Sequence, residues 1–245
     1  LAIDSELAQN GYFGISSHWE GYLPNSAEEF RKAFERIKSH GVDGIITCHY
    51  DESIADSGTP IVTYGNERIM MDCVYPDKLT YAKEVVAYLH RNGHRKIGYM
   101  GFHSDIRKEA ICVEMRNAGL EGLMENGYSA MRSILKMKKR PTAVIVHSDE
   151  MAMGAIRAAG EMRVKIPDDI SLISYDNLRE SAYLIPALTT FDQHYKLAAE
   201  YLVGILIARI RNPLLPMQKR SFKLSLVERE SVRNLNPNRK RGVYK

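Results

Sequence analysis

Residues 147–193 read HSDEMAMGAIRAAGEMRVKIPDDISLISYDNLRESAYLIPALTTFDQ, and this stretch decides the fold. Thr142 to Val146 before it is a short apolar strand, and Ser148 with Asp149 marks the turn into a helix. Met151, Ala155, Ala159 and Met162 recur at helical spacing, so they form that helix's inner face. Ile170 to Ser174 reads as the next strand, with Asp176 and Asn177 at its end. The unit is β-α-β, and small polar groups stand where open parallel sheets hold ligands, at the carboxyl ends of strands. No nucleophile stands among them, so the chemistry is that of a binding site.

The same alternation extends outward and sets the fold class as α/β. Tyr12 to Ser16, Gly44 to Cys48, Ile61 to Tyr64, Ile69 to Val74 and Lys96 to Gly101 read as strands. Glu28 to Ser39 reads as a helix burying Phe30, Ala33, Phe34 and Ile37, and Leu79 to His90 as another, ended by Asn92 and Gly93. Arg107 to Ala118, Gly127 to Lys136 and Tyr195 to Arg211 complete the helices, the last burying Leu197, Tyr201, Ile205 and Ala208. Neither repeats nor a low-complexity linker interrupts the pattern.

Composition fits a globular protein of one or two domains: 245 residues, 44% hydrophobic and 26% charged, with a net charge of +4. No apolar run approaches the roughly 20 residues of a membrane span, and the start lacks a signal peptide's pattern, so a cytoplasmic, membrane-free protein is expected. Cys48, Cys73 and Cys112 lack paired spacing and read as buried or half-buried thiols. The basic end, Arg239 to Lys245, reads as a solvated tail, and no long basic stripe tracks a phosphate backbone.

The 149–158, 164–177, 183–193 and 226–232 segments (DEMAMGAIRA, VKIPDDISLISYDN, YLIPALTTFDQ and LVERESV) resemble, in that order, the effector-binding core of the lactose-repressor/galactose-repressor (LacI/GalR) family of transcription regulators. Gly41 to Ile46, Thr59 to Val62 and Gly93 to Gly101 agree more loosely. The resemblance implies two Rossmann-like lobes joined by three crossovers, as in periplasmic binding proteins. Residues 1–76 with 192–220 are expected to form the N-terminal lobe, 77–191 with 221–233 the C-terminal lobe, and 234–245 a basic tail. It also implies a small-molecule, sugar-like effector held between lobes, a homodimer, and operator DNA bound through a helix-turn-helix headpiece absent from this chain. A first core strand is missing from the pattern, and the loops after Gly101 and Leu120 look too short, as if a further strand were deleted or omitted.

On that resemblance Arg107 opens the helix whose arginine grips effector oxygens, for which a guanidinium fork is suited. Its alternative is a solvated first-turn arginine. Asp176 matches the aspartate that accepts ligand hydroxyls, or else caps its own turn. Ser148 either meets ligand through water or caps the following helix. Gln193 and Tyr195 lie at cleft-lining positions, Tyr195 being equally suited to a core or interface, and Tyr64 and Asn66 fall near a position that is often aspartate. No catalytic residue, cofactor or metal ligand is expected: GxSxG, Walker A, HExxH, GxGxxG and paired-cysteine spacings are lacking. His103, His147 and His194 stand near strand ends and would matter only if the fold gathered them. Two other readings remain open, a periplasmic-type sugar receptor for transport and a catabolite-control-type regulator whose partner is a protein.

Overall fold

The computed structural model describes residues 2–17, 26–49, 54–55, 57–65, 68–101, 106–126 and 130–236. They fall into two units, Leu1–Pro76 with His194–Phe222, and Asp77–Gln193 with Lys223–Lys245. The chain therefore passes from one to the other three times, at 76–77, 193–194 and 222–223.

The first unit holds helices α1 (Ala2–Gln9), α2 (Ser26–Lys38) and α7 (Tyr195–Arg211) and strands β1 (Ile45–Thr47), β2 (Ile61–Tyr64), β3 (Cys73–Pro76) and β9 (Lys219–Phe222). The sheet runs β1-β2-β3-β9, all parallel. Successive strand residues point to opposite faces. Val62 accordingly joins Val74, Phe222 and the α7 residues Ala198, Leu202, Ile205 and Leu206. Its neighbour Ile61 joins Ile45 and the α2 residues Phe30 and Phe34. Both faces of β2 are thus covered, which is why that strand is apolar without alternation, whereas the edge strand β9 buries only Phe222. Asp72, just before β3, accepts from Arg209 Nε (2.8 Å) and Nη2 (2.9 Å), and Arg209 also donates to the carbonyls of Pro213, Leu215 and Pro216.

The second unit holds α3 (Lys78–Arg91), β4 (Lys96–Gly101), α4 (Ile106–Asn117), β5 (Glu121–Asn126), α5 (Ala130–Lys136), β6 (Ala143–Val146), α6 (Asp149–Glu161), β7 (Ser171–Ile173), a 3-10 turn (Arg179–Ala182), β8 (Thr190–Asp192) and β10 (Ser225–Val227). Its main sheet is parallel, in the order β5-β4-β6-β7, and β8 pairs antiparallel with β10. All of β6 is buried: Ala143 and Ile145 face the α3 and α4 side, Val144 and Val146 the α5 and α6 side. A strap formed by residues 229–235 closes the unit. Leu172 N donates to Ser231 O (2.8 Å), Ser231 Oγ to Leu172 O (2.7 Å), and Leu235 N to Asn92 O (2.8 Å).

Several expectations are corrected. Tyr12–Ser16 is not a strand: Tyr12 N closes α1 on Leu7 O, and Phe13 is exposed with no strand described beside it. The strand expected from Ile69 begins at Cys73 and ends on Pro76. The strand thought missing after Leu120 is present as β5, which pairs with β4 directly after the Gly119 turn. Cys48 is exposed rather than buried, whereas Cys73 is buried and Cys112 partly so. In α7 the buried stripe is Ala198, Ala199, Leu202, Val203 and Ile205 to Ile207, so Leu197, Tyr201 and Ala208 lie at its margin. In α6, Ala152, Ala155 and Ala159 are buried, with Met151 and Met162 packed at the edge.

Candidate functional site

At the carboxyl ends of β4, β6 and β7, Arg107 from the first turn of α4 lies against His147, the residue just after β6. Nη1 donates to His147 O (3.1 Å), while Nη2 stands 2.8 Å from Nδ1 and 2.7 Å from Nε2 of the same ring. On another side the guanidinium carbon sits 4.2 Å from the centre of the Tyr175 ring, a cation–π placement. Tyr175 is buried and held edge-on by Tyr81, with ring centres 5.0 Å apart. Arg107 is therefore an anchored arginine, and the solvated first-turn alternative does not hold.

Asp176 follows Tyr175 with φ of 125°, and Asn177 with φ of 55°, two adjacent non-glycine residues in the region L side chains avoid. Gln193 Nε2 donates to Asp176 Oδ1, and Asp149 N to Oδ2 (3.4 Å). Burial pushes the Asp176 carboxyl above the usual carboxylate range; the Gln193 hydrogen bond and the Arg107 charge pull the other way, and the Asp149 charge adds to the rise. Arg107, Asp176 and Gln193 thus form one polar group with the Tyr175 face beside it.

Beneath that group lies a residue the sequence reading passed over. Asp149 is fully buried, and its carboxylate accepts from Thr190 Oγ1 (2.7 Å), Ser181 Oγ (2.5 Å), Leu178 N (2.8 Å) and Ser174 Oγ. The start of α6, the end of β7, the 3-10 turn and β8 are thereby tied to one carboxylate. Asn177 adds a second tie: its Oδ1 accepts from Arg229 Nη2 (2.7 Å) and its Nδ2 donates to Asp192 Oδ2 (3.2 Å). Both fix the backbone on either side of Asp176. Hydroxyls and amides dispersed over 174–192 carry no local pattern, so this hub had no sequence signal beyond the acidic start of α6.

Ser148 is the N-cap of α6, its Oγ accepting from Met151 N (3.3 Å). Tyr64 and Tyr195 belong to the first unit. Tyr64 ends β2 and stacks on Phe222 with ring centres 6.5 Å apart, and Tyr195 is the exposed first residue of α7. Asn66 and His103 lie outside the described residues. His194, also in the first unit, is the left-handed N-cap of α7. Among the described residues no group of three acidic, histidine or cysteine side chains could hold a metal ion.

A family profile described as a periplasmic binding protein-like domain matches residues 86–232. The transcriptional repressor PurR of Klebsiella pneumoniae is 40% identical to this chain, over 94% of the chain and 74% of its own length. The chain belongs to the LacI/GalR family. PurR of Edwardsiella ictaluri is 33% identical over 85% of the chain and 68% of its own length. Among solved structures, the fold matches a dimeric Lac repressor with a C-terminal deletion at a TM-score of 0.85 and 22% identity, covering 96% of this chain and 93% of that one. It also matches a LacI family regulator from Enterococcus faecium with bound ribose at a TM-score of 0.83 and 20% identity, over 96% and 92%. These likenesses identify the α/β architecture as that of the LacI core. As a member of the family, the chain carries the effector-binding core of a ligand-responsive transcription regulator.

Proposed function

We propose that this LacI/GalR core belongs to a cytoplasmic repressor and binds a small polyhydroxylated or anionic effector, a sugar or sugar derivative, between Arg107 and Asp176. The observation that carries this reading is the pairing of an anchored guanidinium with a desolvated carboxylate and the Gln193 amide at the ends of parallel strands. Arg107 supplies donors to ligand oxygens and Asp176 accepts from ligand hydroxyls, while the buried Tyr175 ring backs the guanidinium. Ser148 supports the site from the α6 cap. The role is binding rather than catalysis, since the Ser174 and Ser181 hydroxyls are committed as donors to Asp149.

Regulation then follows from linkage. An effector that prefers one lobe arrangement shifts the population toward it, with a coupling of about 1 to 3 kcal/mol to the DNA-binding end. The relatives are repressors, and one structural neighbour is dimeric. We accordingly assign this chain a homodimer that presents paired headpieces to operator DNA. Tyr183 and Ile185, 73% and 92% exposed on either side of the partly buried Leu184, are apolar groups suited to a second copy.

The test is a thermal-shift and calorimetric screen against sugars, sugar phosphates and purines, using wild type and Arg107→Ala. A ligand at about 100 times its Kd should add roughly 2.7 kcal/mol of stability, and the gain should vanish in the variant. A ligand that stabilises both proteins equally would place the effector elsewhere.

A further inference from the structure

His147 is set against Arg107 by a chain of contacts that begins in β4. At Gly101 a Cβ would lie 2.6 Å from Tyr99 Oη and 2.7 Å from its Cε1, so glycine is what lets the phenol occupy that space. The Tyr99 ring is buried, and its hydroxyl stands 3.3 Å from His147 Nδ1. That contact holds the imidazole at Nδ1. Arg107 approaches the same ring, with Nη2 2.8 Å from Nδ1 and 2.7 Å from Nε2, and its Nη1 donates to the His147 carbonyl.

We propose that His147 is a positioning residue, which holds the Arg107 guanidinium against the Tyr175 face before any effector arrives. The assignment rests on Arg107 being the effector's charged contact. Arginine carries much rotamer freedom, and a guanidinium already fixed in its binding orientation loses less on complex formation. His147 contributes to the fixing in two ways: through its carbonyl, which any residue at 147 supplies, and through its ring, which depends on histidine.

Phenylglyoxal modification of Arg107, read by peptide mass spectrometry against Arg157, reports how firmly the guanidinium is held. The Arg157 side chain is 81% exposed and serves as the internal standard. His147→Leu keeps bulk and carbonyl but loses the polar ring, and should speed Arg107 modification roughly fivefold. His147→Gln restores a polar group that can accept, and should return the rate most of the way. Tyr99→Phe, which removes one hydroxyl, should give an intermediate rate and covers the case in which His147→Leu fails to fold. An unchanged rate in His147→Leu, or in Tyr99→Phe where that variant stands in for it, overturns the proposal. Equal acceleration in His147→Leu and His147→Gln overturns it as well, because packing alone would then explain the effect. D-ribose in the same reaction tests the effector reading separately: failure to protect Arg107 counts against that sugar, while the variant rates still decide the role of His147.

Discussion

Asp149 buries a carboxylate and satisfies it four times over, so removing it leaves Ser174, Ser181, Thr190 and the Leu178 amide without their acceptor. Hydrogen bonds to charged groups contribute about 1.5 to 3 kcal/mol, and orphaned buried partners add their own cost. Asp149→Ala should therefore destabilise the fold by on the order of 3 kcal/mol or more, read as a lower urea midpoint. Asp149→Asn should do nearly as much harm, since its amide turns donors toward donors. Asp176 makes a different prediction. Its folded carboxyl is raised, so the ionised form is disfavoured until hydroxyl donors or Arg107 compensate. An effector that donates to this carboxylate lowers the value again, so binding should release protons and tighten as pH rises through the Asp176 titration. Calorimetry in two buffers of different ionisation enthalpy measures the release, and Asp176→Asn should abolish it.

At the scale of elements, legibility followed burial. The fully buried strands β4 and β6 and the amphipathic α2 could be read from apolar runs and helical spacing, because those patterns are written by the core. β5 escaped because EGLMEN begins and ends on polar residues, and its membership comes from pairing with β4. Tyr12 to Ser16 misled for the converse reason, being apolar without a described sheet neighbour. In the site, Arg107 and Asp176 were legible through the family motifs around them. His147 and Asp149 were not, since their roles depend on partners 40 residues upstream and 25 to 41 residues downstream. Helix α6 offers a packing test: Ala155 is buried among Ala152, Ala159 and the sheet residues Val144 and Val146. Ala155→Leu should cost about 1 to 3 kcal/mol by overpacking, seen as a lower Tm.

For the whole molecule, His94 sets a pH dependence of stability. It is fully buried, with Nδ1 3.0 Å from Thr142 Oγ1 and Nε2 donating to Arg233 O at 3.0 Å. Burial holds its pKa down to about 4, against an ordinary value of 6.5. Between those values the unfolded chain takes up a proton that the folded one refuses. The stabilisation is therefore complete above pH 6.5 and is lost as pH falls toward 4, a change on the order of 3 kcal/mol. Denaturation curves across this window should show the loss, and His94→Gln should flatten it at the cost of lower stability near neutrality.

The order in which the chain is made gives its three passages between units a further meaning. β9 supplies the parallel neighbour of β3 in the first unit, and residues 229–235 strap β7 and Asn92 in the second. These pieces leave the ribosome after every other described strand except the short β10, so both units wait with an open edge until the 219–235 stretch has been made. Unpaired edges invite pairing with other chains. A nascent chain halted after α7 would hold two unfinished sheets at once, and the stretch from 219 to 235 acts as a late closure for both.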